Sequence, residues 1–283
     1  MLASDALKVL SLGWGVQSFT LAAMAALGEI EQPDVAIHAD TSFEASGTYD
    51  FAAQWTPWLA ARGVKVVTVH PINPQINTER LGGEIYIPAY TAGTYTVNVD
   101  DGVYTDDEDE LQLVGTREVE SRGQLRRQCT QRWKIAPMRR WLQANRNGVP
   151  VEQWIGISLD EYQRMKDSDV KYITNRWPLI ERRMTRTDCK TWLERHGLPV
   201  PPKSACVFCP YHDTRTWREM KHSGNGDWQS ALAIDEMIRK ARPPYDLYLH
   251  PSRKPLADID FSTAEERGQL SLWDNECSGI CGI

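Results

Sequence analysis

No apolar run in this sequence approaches the roughly 20 residues that a bilayer span requires, and the N-terminus shows no signal-peptide pattern. These absences predict a protein that works in the cytoplasm and makes no use of a membrane. Positive charge is not in excess either. With 32 Lys and Arg against 38 Asp and Glu the net charge is −6, which excludes a globally basic nucleic-acid binder. Internal repeats and low-complexity segments are absent from the 283 residues, a length that suits one large domain or one domain with a substantial appendage. Cysteines number only six, and without a secretion signal they read as metal or redox chemistry rather than a disulfide framework.

Two familiar nucleotide motifs are missing from the opening forty residues. No Gly-Lys-Ser/Thr follows the first glycines, so the loop is not a Walker loop, and the third glycine of the dinucleotide fingerprint is lacking. What stands there instead is a short apolar run, Lys8 to Leu10, emptying into Ser11-Leu12-Gly13-Trp14-Gly15-Val16-Gln17-Ser18. Gly13 and Gly15 allow a tight turn and a close approach of backbone N–H groups to an anion, and the stretch Phe19 to Leu27 presents a positive helix end to it. Ser11, Gly13, Gly15, Gln17 and Ser18 are therefore candidate phosphate contacts. A second run, Val35 to Ile37, ends in His38-Ala39-Asp40-Thr41-Ser42-Phe43-Glu44, which puts Asp40 and Thr41 at a second strand tip. Ligands of open parallel sheets bind at such carboxyl ends.

Apolar runs and helical stretches alternate through Val69, with Val64 to Val69 as a third strand. Pro71 to Glu110 breaks this pattern and reads as a long excursion or lid, its acidic run Asp100 to Glu110 as a solvated loop. Helical periodicity returns at Lys134 to Asn145, Val151 to Ile157 reads as a central strand, and Trp217 to Arg242 as a helical region. The expected fold class is α/β: a doubly wound three-layer sandwich with a mainly parallel sheet over residues 1–200, and a C-terminal cysteine-bearing helical region, 201–283, packed on it.

Cys206 and Cys209 lie three apart on a loop bracketed by prolines, a spacing open to iron–sulfur ligation, a zinc half-site or a redox pair. Cys189 falls in a helix start capped by Thr185 with Asp188 at the third position; it reads either as a further ligand or as a small buried thiol under Trp192. Cys277 and Cys281, in a terminal tail, suit a mobile sulfur carrier and are the catalytic candidates. Arg164 suits either a phosphate or sulfate contact or a surface salt bridge, and His250 is left as a substrate contact. The basic cluster Arg117, Arg122, Arg126, Arg127, Arg132, Lys134, Arg139 and Arg140 suits a nucleic-acid acceptor, with Trp133 beside it to stack on a base.

These segments carry a family resemblance. Gly13 to Ser18 is similar to the pyrophosphate loop of the adenine-nucleotide alpha hydrolases, Ser-Gly-Gly-x-Asp-Ser, with Gln17 in place of the Asp. Asp40 to Glu44 with Thr48, Tyr49 and Phe51 resembles the Asp-Thr-Gly…Thr-x-x-Phe stretch of the phosphoadenosine phosphosulfate (PAPS) reductases. Cys129 to Met138 resembles their Cys-x-x-x-x-Lys-x-x-Pro-Leu/Met element, and Pro178-Leu179, Thr185, Asp188, Trp192 and Gly197-Leu198-Pro199 their following segment. The chain's ending resembles the Glu-Cys-Gly-Leu/Ile-His tail that bears the reductases' attacking cysteine, although it has two cysteines and no final His. The likeness spans about residues 8 to 215.

The resemblance implies a [4Fe-4S] cluster on Cys129, Cys206 and Cys209, with Cys189 as the favoured fourth ligand, because the family's adjacent cysteines are here Gln128-Cys129. It implies ATP or PAPS as the bound adenine nucleotide, with Mg²⁺ where ATP is cleaved, and a protein that donates electrons or sulfur. The expected activity is adenine-nucleotide-dependent sulfur transfer to a nucleic acid or nucleotide. The alternatives are a sulfonucleotide reductase using a C-terminal cysteine and a non-catalytic redox regulator. A homodimer is compatible with all three.

Overall fold

The chain begins with β1 (Leu7–Ser11), followed by β2 (Val35–Ala39) and β3 (Val66–Val69); β4 (Tyr90–Val99) and β5 (Gly115–Gln124) come next, then β6 (Val151–Trp154), β7 (Ile173–Arg176) and β8 (Asp246–Tyr248). This computed structural model describes residues 6–72, 87–99, 115–263 and 266. They fall into two compact units, Met1–Pro88 with Leu125–Phe208, and Ala89–Gln124 with Cys209–Ile283.

The first unit is a five-stranded parallel sheet in the order β3-β2-β1-β6-β7. A parallel strand is covered on both faces, so its sequence is apolar without alternation; all five residues of β2 are buried. One face, with Leu10, Ala36 and Trp154, packs on α1 (Val16–Ala26), α2 (Ser46–Ala60), α4 (Pro178–Glu181) and α5 (Arg186–Arg195). The other, with Val9, Val35, Ile37 and Val151, packs on Met138 and Leu142 of α3 (Ala136–Asn145). The result is the expected α/β three-layer arrangement. Within the first layer Phe19 meets Phe51 edge-on at 4.8 Å, and burying an aromatic or aliphatic side chain of this size contributes about 1.5–3 kcal/mol. The chain runs outward from β1 through β2 to β3 and then resumes at β6 on the other side of β1. That reversal makes β1 and β6 the switch point at which a crevice opens above the carboxyl ends.

In the second unit β4 and β5 pair antiparallel over ten residues, from Tyr90↔Gln124 to Val99↔Gly115, and β8 adds to β4. The long excursion expected from Pro71 to Glu110 thus contains a regular strand: Thr, Tyr and Val recur through residues 90–99, and β-branched and aromatic residues favour the pleated conformation over a loop. The acidic run lies outside the described residues. Helices α6 (Thr214–Ser223), capped by the Asp213 side chain, and α7 (Asp227–Ile238) enclose a core with Trp217, Trp228 and Phe261. Buried Asp235 accepts the N–H groups of Leu249 (2.9 Å) and Leu256 (3.0 Å) and pairs with Arg239, fixing the turns around β8. His250 belongs to this framework. Its Nδ1 is 2.8 Å from Ser252 Oγ and its ring edge meets Phe261, which holds the ring within the second unit. Among the described residues no helix is long and apolar enough to cross a membrane.

Candidate functional site

The loop after β1 is closed on itself by its own serine. Ser18 Oγ accepts from the Gly13 amide (3.2 Å) and donates to the Gly15 carbonyl (3.3 Å). Between the two glycines, Trp14 adopts φ +56° with 1% exposure, its ring lodged against Phe19, His38 and Phe51. A left-handed non-glycine residue is strained by about 1–2 kcal/mol, which the packing of the indole offsets. The first helical bond of α1 runs from Phe19 N to Gly15 O, and no side chain caps the helix. The amides of Val16, Gln17 and Ser18 therefore have no helical acceptor, and they stand at the positive end of an 11-residue dipole. Ser11, the other loop hydroxyl, accepts from Gln153 Nε2 at 2.8 Å, which links β1 to β6.

Gln17 is 7% exposed and its side chain is held by protein at both ends: Nε2 donates to Ser158 Oγ (3.3 Å) and Glu161 Oε2 (3.2 Å), and Oε1 accepts from Arg186 (3.1 Å). The side chain of this expected ligand contact thus braces α1 against the turn after β6. The same turn holds Asp160, whose carboxyl lies below its ordinary pKa because the Ser158 hydroxyl and the Arg186 amide donate to it. The exit of β6 also touches the loop: a Cβ added to Gly156 would lie 2.9 Å from Ser18 N and 3.1 Å from its Cα. Arg186 and Gly156 were not singled out as site residues. A strand-end glycine was the one signal for the second, and nothing local marks the first.

At the tip of β2, Asp40 Oδ1 accepts from Ser42 N (2.7 Å) and Tyr49 Oη (2.8 Å), while Oδ2 lies 3.5 Å from His70 at the end of β3. Burial and the Asp40 carboxylate push the Tyr49 phenol above its ordinary pKa. Thr41 is 1% exposed; its hydroxyl is 3.2 Å from Cys206 Sγ and 3.5 Å from Glu44 Oε1. Glu44, whose side chain is fully buried, accepts from Lys134 Nζ at 2.8 Å, and its Oε2 has no hydrogen-bond partner among the described residues. Burial lowers the pKa of the Lys134 ammonium, but Glu44 and Cys206 outweigh it and leave the net shift upward. Lys134 is offered by a single π-helical turn, Thr130–Ile135, which follows Cys129, a rare geometry found often at functional sites. Phe43, Trp133 and Phe208 pack together beside it.

The cysteines are not alike. Cys189 has 0% exposure in the core between α1 and α5, and burial pushes its thiol up to about 11, against a weaker opposing bond from Thr20. That environment suits the buried-thiol reading, because a ligand must be a thiolate and an apolar site disfavours one. Cys129 and Cys206 are half-buried in the first unit, whereas Cys209 opens the second. Among the described residues no three His, Cys, Asp or Glu side chains are grouped as around a metal ion. Cys277 and Cys281 lie outside the described residues.

Arg164 pairs with Glu161 at 2.6 Å and is largely exposed, which is the salt-bridge reading. It also borders a cavity of about 310 Å³ at the carboxyl ends of β6 and β7, with Ile155, Ile157 and Trp177. The basic cluster is divided: Arg117 and Arg122 belong to β5, while Arg126 to Arg140 belong to the first unit, where Lys134 and Arg139 are paired with Glu44 and Asp169.

No family model and no curated protein matches the sequence. Among solved structures, the chain is similar to the phosphate complex of phosphoadenylyl-sulfate (PAPS) reductase from Candida auris, at 13% identity and a TM-score of 0.42, covering 70% of this chain and 76% of that one.

Proposed function

We propose that the first unit binds an adenine sulfonucleotide, with its anionic groups on the amides of the Gly13–Ser18 loop, and that the protein is a sulfonucleotide reductase. One observation carries this reading over ATP-driven sulfur transfer. Where the ATP-cleaving loop pattern has a carboxylate, this chain has Gln17, a neutral amide committed to Ser158, Glu161 and Arg186. A neutral amide is a poor partner for Mg²⁺ beside a departing pyrophosphate. A sulfonucleotide arrives already activated, and its reduction asks the loop only to hold and orient an anion, which free amides at a helix N-terminus do.

In this reading a thiolate of Cys277 or Cys281 attacks the sulfate sulfur, an S–S bond forms, and the bridging S–O bond breaks with the nucleotide 5′-phosphate as leaving group. One thiolate of a dithiol protein then attacks the cysteine sulfur and expels sulfite, and its second thiolate breaks the resulting mixed disulfide, which frees the cysteine thiolate and leaves the dithiol as a disulfide, having supplied both electrons. Asp40 with Tyr49 and His70 would orient the nucleoside at the second strand tip. An iron–sulfur cluster on Cys129, Cys206 and Cys209 is part of the same proposal by resemblance alone.

The test is direct. Anaerobically purified protein given PAPS and reduced thioredoxin should release sulfite, and given ATP and Mg²⁺ should release no pyrophosphate. The opposite pair of results would replace the reductase with the sulfur transferase and its nucleic-acid or nucleotide acceptor.

A further inference from the structure

Ser204 to Val207 is where the two loops of the site are tied to one another. Ser204 donates its hydroxyl to the Gly13 carbonyl, and a Cβ on Gly15 would sit 3.8 Å from the Ser204 Cβ. Two residues on, Cys206 forms an antiparallel bridge with Glu44, held by Ala45 N to Ala205 O (3.0 Å) and Val207 N to Phe43 O (2.8 Å). Its sulfur then meets Thr41 Oγ1 at 3.2 Å. A short extended strap thus links the peptide at the centre of the anion loop to a thiol.

We propose that Ser204 is a positioning residue that transmits occupancy of the anion loop to the sulfur of Cys206. The physical link is peptide planarity. The Gly13 carbonyl and the Trp14 N–H belong to one rigid plane, and the Trp14 N–H makes no hydrogen bond among the described residues. An anion that draws on this N–H sets the tilt of the plane and so moves the acceptor of the Ser204 hydroxyl. Two residues of extended chain span at most about 7 Å, so little slack separates Ser204 from Cys206. The bridge to Glu44 holds the backbone on both sides of Cys206, at Ala205 O and Val207 N, so a shift of Ser204 reaches the sulfur together with the Phe43–Ala45 segment and alters its contact with Thr41. The inference rests on nucleotide binding at the loop, but not on which reaction follows.

The experiment is alkylation by iodoacetamide of the full-length protein, freed of any iron by anaerobic chelation, with the Cys206 peptide followed by mass spectrometry. It is run with and without saturating adenosine 3′,5′-bisphosphate, whose affinity is measured separately by calorimetry. The rate at Cys206 should change about fivefold or more on binding, the lower range of ordinary coupling between sites. Ser204→Ala should abolish the response at saturating nucleotide, and Ser204→Thr, which keeps the hydroxyl, should restore it. A merely structural role would shift the basal rate without removing the nucleotide response. Binding with an unchanged wild-type rate overturns the proposal, as does an undiminished response in Ser204→Ala or complete protection of Cys206 in both states. Absence of binding in the calorimeter instead overturns the nucleotide-site reading.

Discussion

Gly156 lies so close to Ser18 that a Cβ at the strand exit would come within 2.9 Å of the Ser18 nitrogen, a backbone atom that cannot swing away. β6 and the anion loop are therefore shaped to each other, and the gap holds no room for a methyl group. Gly156→Ala should destabilise the fold by about 1–3 kcal/mol, as overpacking does, and weaken adenosine 3′,5′-bisphosphate binding more than any change in stability explains. Calorimetry alongside thermal melting separates the two. Unchanged affinity would place the anion away from Ser18.

Gln17 braces three partners at once. Gln17→Leu keeps the volume but leaves Arg186, Ser158 and Glu161 without the amide, at about 1–3 kcal/mol for each partner that stays buried and unsatisfied. The expected result is a lower melting temperature and weaker nucleotide binding. Gln17→Asp, which restores the carboxylate of the pyrophosphatase pattern, should not create ATP cleavage. Pyrophosphate release by this variant would show that the brace is dispensable.

Cys189 and Cys206 should separate in chemical tests. With its thiol raised to about 11 inside the core, native Cys189 should resist alkylation at neutral pH and react only after denaturation. Cys189→Ala should leave whatever iron the anaerobic protein carries, whereas Cys206→Ala should remove it. Loss of iron from the Cys189 variant alone would return Cys189 to the ligand set.

Ser42 sits at φ +65° where the resembling motif has glycine. Relief of left-handed strain, about 1–2 kcal/mol, exceeds the extra chain entropy of glycine, about 0.5–1 kcal/mol. Ser42→Gly should raise the melting temperature by about 2 °C, given the usual dependence on chain length. A lower value would mean that the Ser42 side chain has a contact of its own.

His38 is buried with Nδ1 3.1 Å from the Leu12 carbonyl, and burial holds its pKa below 6.5 despite that carbonyl and the nearby Glu44 and Asp40. The unfolded chain takes up this proton at higher pH than the folded one. The stability from keeping the ring neutral is thus fully present above the unfolded value and is lost as pH falls toward the folded one. His250, also lowered by burial, acts in the same sense. Melting temperatures between about pH 7 and pH 5, the range around an ordinary histidine pKa, should decline, and His38→Gln should flatten the decline. An equal slope in both proteins would exclude His38 as the source.

Local chemistry determined much of this protein from sequence alone. The apolar pairs and runs Val9–Leu10 and Val35–Ile37 are buried on both faces, as parallel strands between helical layers require. The glycines around Trp14 and the capping box of Thr185 and Asp188 act within a few residues, so the loop and the start of α5 were readable. β4 goes unread in the sequence because its pairing energy comes from β5, a strand that is not adjacent in sequence.

Tertiary structure decided which side chains meet, and there sequence is silent. Glu44 and Lys134 are 90 residues apart, Thr41 and Cys206 are 165, and Gln17 and Arg186 are 169. A residue type in a loop says what bonds a side chain can make, but only the closing of the sheet around β1 brings its partner within 3 Å or so. The same limit explains the cysteines. Each has the chemistry of a ligand, and no local pattern encodes the burial of Cys189 behind α1.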